Sequence, residues 1–228
     1  MPKKRIICGN AQTEIPKLDD QSIDVCFTSP DPPENENEVL DLVSIFGMLV
    51  PKLKDTGSLW VQLGDYHEDD GNLRLTPHLF AAVMKDTCQW ICRSDIIWHR
   101  PDNSKQADYT RFKRDCEHIF WFTKKKSGYH FDTREFDVNT SLWTFPYVAP
   151  EEGVFESGFP IKIITNVLEL CSIPGYTVLD PLCGTGTTGE AALMMGCNFI
   201  GIDKDVASIS KINKRLNSLR PFVERIRT

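Results

Sequence analysis

YTVLDPLCGTGTTGEAALMMGCNFIGID, residues 176–203, decides the fold. It reads as a strand (Thr177–Leu179), a glycine turn, an amphipathic helix, a second strand and a terminal Asp203. That order is how an open α/β sheet grips a nucleotide-like ligand. GTGTTG at 184–189 fits the pattern G-x-G-x-x-G, with Asp203 at about the expected distance downstream. Gly184 and Gly186 allow close approach of backbone to a ligand. Asp203, at the end of the second strand, is placed to accept hydrogen bonds from ribose hydroxyls. Only 25 residues follow Asp203, so the remaining strands of the sheet are expected upstream.

The residues just before the loop refine the ligand. Helix N-termini favour anions, through free N–H groups and positive dipole. Asp180-Pro181 puts a carboxylate there, which repels a pyrophosphate but suits an ammonium or sulfonium group. The pattern therefore favours S-adenosylmethionine over NAD. A nicotinamide oxidoreductase, resting on GTGTTG alone, is the alternative from another enzyme class.

Upstream, strands alternate with helices. Arg5–Cys8 and the apolar run Ile23–Phe27 read as strands of a sheet covered on both faces. SPDPPENENE (29–38) is a loop. Val39–Leu53 has helical apolar spacing, with Pro51 expected to end or bend it. Ser58–Leu63 is a strand followed by the polar loop GDYHEDDGN (64–72). A helix is expected near Pro77–Asp86, capped by Thr76. Two β-rich runs, Trp90–Trp98 and Glu117–Phe122, flank the basic loop HRPDNSKQADYTRFKRD (99–115) and suggest an antiparallel edge hairpin. Residues 124–158 are irregular, and a helix is expected over Pro160–Cys171. The fold class is α/β: a doubly wound, Rossmann-like sheet, mostly parallel, in one domain spanning 1–228.

Composition narrows the setting. No apolar run approaches the ~20 residues of a membrane span, and MPKKRIICGN lacks the apolar core of a signal peptide, so a cytoplasmic location is expected. The eight cysteines are scattered without a C-x-x-C pair and read as reduced, partly buried thiols. A metal site would need Cys88 and Cys92 joined by His99 or His118. The net charge of −6 argues against a nucleic-acid coat protein, though local patches remain. Of these, Arg111, Lys113, Arg114 and Lys124–Lys126 flank a strand and a loop, and are candidates for phosphate contact.

TSPDPPE (28–34) ends a strand at the edge where doubly wound sheets bind ligands. Its prolines fix the carbonyls beside Ser29 and Asp31, a rigid frame for hydrogen-bonding a planar amine.

In this light the chain resembles the DNA amino-methyltransferases of the β group, whose catalytic loop precedes the cofactor loop in a circularly permuted motif order. The matches run in order through CGNA (8–11), SIDVCFTSP (22–30), DTGSLWVQLGD (55–65), RSDIIWHRP (93–101), EHIFWFTK (117–124), SLWTFP (141–146), GFPIKI (158–163), DPLCGTGTTGEAA (180–192) and FIGID (199–203). The resemblance implies a catalytic half at 1–124, a short target-recognition region at 125–157 and a cofactor half at 158–228. It also implies methyl transfer from S-adenosylmethionine to the exocyclic amine of a base flipped out of double-stranded DNA. Catalytic residues would come from Ser29, Pro30, Asp31 and Pro32, the amine bonding to Ser29 and the Pro30 carbonyl. Serine at this place resembles the cytosine-N4 members. Reading Asp31-Pro32-Pro33-Glu34 as the motif instead gives adenine N6, and a Cys26 nucleophile would give cytosine C5. Asn10, Phe159, Pro160, Asp180, Pro181, Cys183, Gly184, Thr185, Gly186, Thr187, Thr188 and Asp203 would hold the cofactor. A homodimer and a cognate restriction enzyme are further partners within the resemblance.

The chain departs from the family at two places. Ser29-Pro30-Asp31-Pro32 stands where the family has S-P-P-aromatic, so base stacking would come from Trp98, Trp143 or Phe145. Asn10 replaces a customary aspartate. The departure at the catalytic loop also keeps open a DNA-binding homologue with weakened catalysis.

Overall fold

The computed structural model describes residues 2–101, 112, 114–133, 140–146 and 159–219. Among these, eight strands form one sheet: β1 (Lys4–Cys8), β2 (Ile23–Thr28), β3 (Leu53–Leu63), β4 (Ile91–His99), β5 (Cys116–Thr123), β6 (Leu142–Thr144), β7 (Thr177–Asp180) and β8 (Asn198–Asp203). Their spatial order is β1-β8-β7-β2-β3-β5-β4-β6. All neighbours pair in parallel except β5, which runs antiparallel to both β3 and β4. The strand that closes the edge, β6, lies in a stretch expected to be irregular, and three residues are too few to show a periodicity.

Among the described residues, six α-helices cover the two faces: α1 (Ala11–Glu14), α2 (Glu36–Leu49), α3 (Thr76–Thr87), α4 (Ile161–Cys171), α5 (Thr187–Met194) and α6 (Val206–Ser218). The period-2 alternation of the strands sorts the core into two halves. Cys26, Leu59, Val61, Phe120 and Phe122 pack under α1–α3, where Val39, Phe46, Leu49, Phe80 and Met84 meet them. Val25, Phe27, Trp60, Ile119 and Trp121 turn the other way, onto Ile164, Val167 and Leu168 of α4, Ala191 and Ala192 of α5, and Ile212 and Leu216 of α6. The central strand β2 is buried at every residue, as its continuous apolar run requires.

Local chemistry sets the boundaries. Asn35 begins α2 by accepting the Glu38 N–H at 3.1 Å, while Glu38 bonds back to the Asn35 side chain, so the helix starts three residues before the expected Val39. It ends at Leu49 ahead of Pro51, and Leu53 already belongs to β3. Thr76 does not cap α3. That position falls to Leu75, held in the left-handed region at φ 58°, and the Thr76 hydroxyl is buried without a partner among the described residues. The Asp65 carboxylate fixes Leu75 by accepting its N–H at 3.3 Å.

The topology places the site. The chain leaves β2 toward β3 on one side and leaves β7 toward β8 on the other, although β2 and β7 are neighbours. Their carboxyl ends therefore flank the crevice where open α/β sheets bind ligands.

Candidate active site

That crevice holds a cavity of about 860 Å³. One wall is the loop after β2 (Ser29–Pro32), and the other is the loop after β7 (Asp180, Leu182–Thr185, Thr187 and Thr188). Gln62 and Tyr66 follow from β3, Arg100 and Arg114 from the ends of the β4–β5 connection, and Glu117 from β5. Phe27, Trp98 and Phe159 close it with apolar surface. The two loops singled out in the sequence thus meet in one space.

The glycine loop is shaped from within. Gly184 has φ +44° and Gly186 φ +82°, a backbone that L side chains rarely adopt. Asp203 organises the turn: one carboxylate oxygen accepts the Gly184 N–H and the other the Asp205 N–H, each at 2.8 Å. Arg215 of α6 braces it from behind, donating to the Thr185 carbonyl at 3.2 Å and the Thr187 hydroxyl at 3.0 Å while paired with Glu190 at 2.7 Å. Gly189 allows the helix to sit on β8, since a Cβ there would lie 2.5 Å from the Phe199 ring.

Asp180 is 3% exposed, and burial pushes its carboxyl up to about 6 against the opposing pull of the Thr188 hydroxyl and the Leu182 N–H. At neutral pH it is a buried anion with no cation beside it among the described residues. Such a group is suited to receive a cationic ligand.

Opposite it runs a chain of hydrogen bonds. The Ser29 hydroxyl donates to the Gln62 carbonyl, and the Gln62 amide donates to Glu117. Arg100 pairs with the other Glu117 oxygen at 3.0 Å. Burial raises the Glu117 carboxyl above the ordinary range, while Arg100 and Arg114 pull it back down. An ionised carboxylate only accepts. Glu117 therefore sets the Gln62 amide, the amide sets the serine, and the Ser29 lone pairs are left for a ligand's N–H. Among the described residues, the Nε of Arg100 and an Nη of Arg114 are buried without a hydrogen-bond partner.

The other expected residues are placed as follows. Phe159 packs on Phe27 (5.9 Å) and Trp98 (5.2 Å) at the cavity wall, and Pro160 begins α4. Asn10 caps α1, accepting the Gln12 N–H at 2.8 Å, and lies beside the end of β8, where Gly9 N–H meets the Asp203 carbonyl at 2.9 Å. Pro181 is buried in the turn and Cys183 in the core, its thiol driven up by burial first and by Asp180 and Asp203 next. Cys26 is fully buried under the α1–α3 layer, with its thiol pushed well up, so it is no nucleophile for a base in the cavity.

Of the basic residues, Arg111 and Lys113 lie outside the described residues, and Arg114 lines the cavity. Lys124–Lys126 follow β5 at its far end: Thr123 pairs with Ser58, whereas His118 pairs with Leu63 at the cavity end. Lys124 is already held by Asp55 at 3.0 Å and by two carbonyls. Trp98 and Trp143 are buried, and neither Trp143 nor Phe145 lines the cavity. Cys88 and Cys92 form no metal cluster among the described residues; the group of suitable side chains there is His78, Asp95 and His118. All eight thiols are free.

Gln62, Tyr66, Arg100, Glu117 and Arg215 were not assigned roles from sequence. The first four lie within or beside the matched segments 55–65, 93–101 and 117–124, where polar residues interrupt strand ends, and that was the available signal.

Comparison with known proteins decides the family. The model of the N6_N4_Mtase family, the DNA methylases, matches residues 29–214. The chain belongs to this DNA methylase family. The chain is 29% identical over 184 residues to the type II methyltransferase M.HinfI of Haemophilus influenzae, covering 74% of this chain and 48% of that protein. It spans about half the length, or less, of the curated relatives it matches. Its fold is shared with the solved PvuII DNA methyltransferase (cytosine-N4-specific), with TM-score 0.83 and 18% identity over 96% of this chain and 89% of that one. The M1.HpyAVI–SAM complex superposes with TM-score 0.72 and 20% identity, covering 94% of this chain and 100% of that one. Family and fold together set aside the nicotinamide oxidoreductase.

Proposed function

We propose that this methylase transfers a methyl group from S-adenosylmethionine to the exocyclic amine of a base flipped out of double-stranded DNA, cytosine N4 in preference to adenine N6. The observation that carries the reading is the junction of the Asp180 loop and the Ser29 loop in one cavity, opposite in character on its two sides. The residues fit the cofactor. A buried anion at Asp180 receives an ammonium group, a positive-φ glycine turn admits close approach, and Phe159 supplies apolar wall. At about 860 Å³ the space accommodates a cofactor and a base side by side. When bound, S-adenosylmethionine supplies an electrophilic methyl group.

The chain's own residues do the positioning, which supplies much of the rate when an amine and an electrophile must align. Ser29, with its hydroxyl proton committed to Gln62, accepts an amine N–H and so fixes the nitrogen in the cavity. The buried Nη of Arg114 offers a donor that the O2 or N3 acceptors of cytosine can satisfy. An Asp31-centred motif has less support, because it is Ser29, directly after β2, that belongs to the bonded chain. The PvuII enzyme, named for cytosine N4, points the same way.

The test is incubation with methyl-labelled S-adenosylmethionine and unmethylated DNA of mixed sequence, followed by nucleoside analysis. N4-methylcytosine is the expected product. Label in N6-methyladenine overturns the Ser29 assignment, label on the cytosine ring carbon overturns amine transfer, and no label overturns the reading as a whole.

A further inference from the structure

A base taken out of a duplex loses its stacking, and enzymes that flip bases restore part of that loss with an aromatic ring. The Ser29–Pro33 loop offers none, since it reads Ser-Pro-Asp-Pro-Pro. The rings on the cavity wall are Phe27, Tyr66, Trp98 and Phe159. Phe27 and Trp98 are 0% and 1% exposed and pack against Phe159, so all three are engaged with one another. Tyr66 differs, being 50% exposed.

It is nonetheless held in place. Its N–H bonds to the Asp65 carboxylate at 2.9 Å, and its carbonyl accepts the Arg74 N–H at 2.9 Å. The ring lies over Gly64, where a Cβ would come within 3.2 Å of Tyr66 Cε2 and 3.4 Å of the Glu117 carboxyl carbon. The Arg114 guanidinium sits 5.2 Å from the ring centroid. Tyr66 thus stands at the end of the Ser29–Gln62–Glu117 chain, exposed in the same cavity and braced by a cation. We infer that Tyr66 is the stacking platform for the flipped base, the ring that the catalytic loop lacks. The inference rests on the proposed base-methylating function and specifies how that site holds its substrate.

The experiment compares wild type, Tyr66→Phe and Tyr66→Leu on unmethylated plasmid DNA with labelled S-adenosylmethionine, alongside calorimetric binding of the cofactor. Leucine keeps most of the bulk but removes the ring. Tyr66→Leu is expected to lose on the order of 10- to 100-fold in kcat/KM for DNA, with cofactor affinity unchanged. Tyr66→Phe is expected to stay within about twofold of wild type, since a phenyl face stacks as a phenol does. A Tyr66→Leu protein as active as wild type, or a Tyr66→Phe protein as impaired as Tyr66→Leu, overturns the platform. So does a parallel loss of cofactor binding, which marks a structural role. A wild-type chain that methylates no DNA at all overturns the function and this inference together.

Discussion

Replacing Asp180 by asparagine should make the free protein more stable and the cofactor weaker. The carboxyl is buried and raised from 3.8 to about 6, a shift of about 2 units, and each unit corresponds to about 1.4 kcal/mol. Because the native pKa lies above the unfolded one, the native state binds more protons between pH 4 and 6. The destabilisation is therefore fully present above pH 6 and fades as the pH falls toward 4. The amide in Asp180→Asn would keep the oxygen that accepts the Leu182 N–H at 3.2 Å while removing the buried charge. The gain at pH 7.5 is thus at most about 3 kcal/mol, or roughly 6–12 °C in Tm for a domain of this size.

Urea denaturation of both proteins at pH 7.5 and pH 4.5 isolates this group, since titrations common to both cancel in the difference. The D180N advantage should be largest at pH 7.5 and fall to about a third of that value at pH 4.5. Calorimetry should show S-adenosylmethionine bound about 10- to 100-fold more weakly, the loss expected for a charge-assisted hydrogen bond. If D180N is no more stable at pH 7.5, or its advantage does not shrink with acid, then Asp180 is not a buried anion and provides no electrostatic basis for holding a cationic cofactor.

Two further predictions concern the opposite wall and the basic patches. Burial raises the Glu117 carboxyl, so acid should neutralise it at milder pH than an ordinary glutamate and release the Gln62–Ser29 alignment. kcat for methyl transfer should fall on the acid side in the wild type, whereas E117Q should have lower kcat throughout and lack that limb; an identical acid limb in E117Q would refute the polarity chain. Neutralising Lys124, Lys125 and Lys126 together should leave the salt dependence of DNA affinity unchanged, while Arg114→Gln should flatten it by about one counterion. A flattened slope in the lysine variant would return that patch to the interface.

The glycine turn after β7 was legible because its chemistry is local. Asp180, Gly184, Gly186 and Asp203 fall within one strand-turn-helix-strand unit, and periodicity and turn residues place them without reference to the rest of the chain. The lysine run was legible as charge but not as location. A strand running the other way carries it to the far end of the sheet, about 20 Å along β5 from Glu117 at 3.3 Å per residue, and Asp55 occupies Lys124 there. The Ser29 wall depends on pairings distant in sequence. Phe27, Trp60, Ile119 and Trp121 face the α4–α6 layer, so by alternation Ser29, Gln62 and Glu117 share that face at the strand ends. Alternation alone would align Ser29 with Gln62 once β2 and β3 are paired. It does not bring in Glu117, because β5 is inserted antiparallel between β3 and β4, a choice no local pattern dictates. The register Gln62 to Ile119 then makes Glu117 the diagonal neighbour of Gln62. A slip of one residue would turn Glu117 onto the α1–α3 face and leave the Gln62 amide without its anion. The serine's role as an acceptor thus depends on a strand register, which is why the Ser29 loop could be found from sequence while the residues that orient it could not.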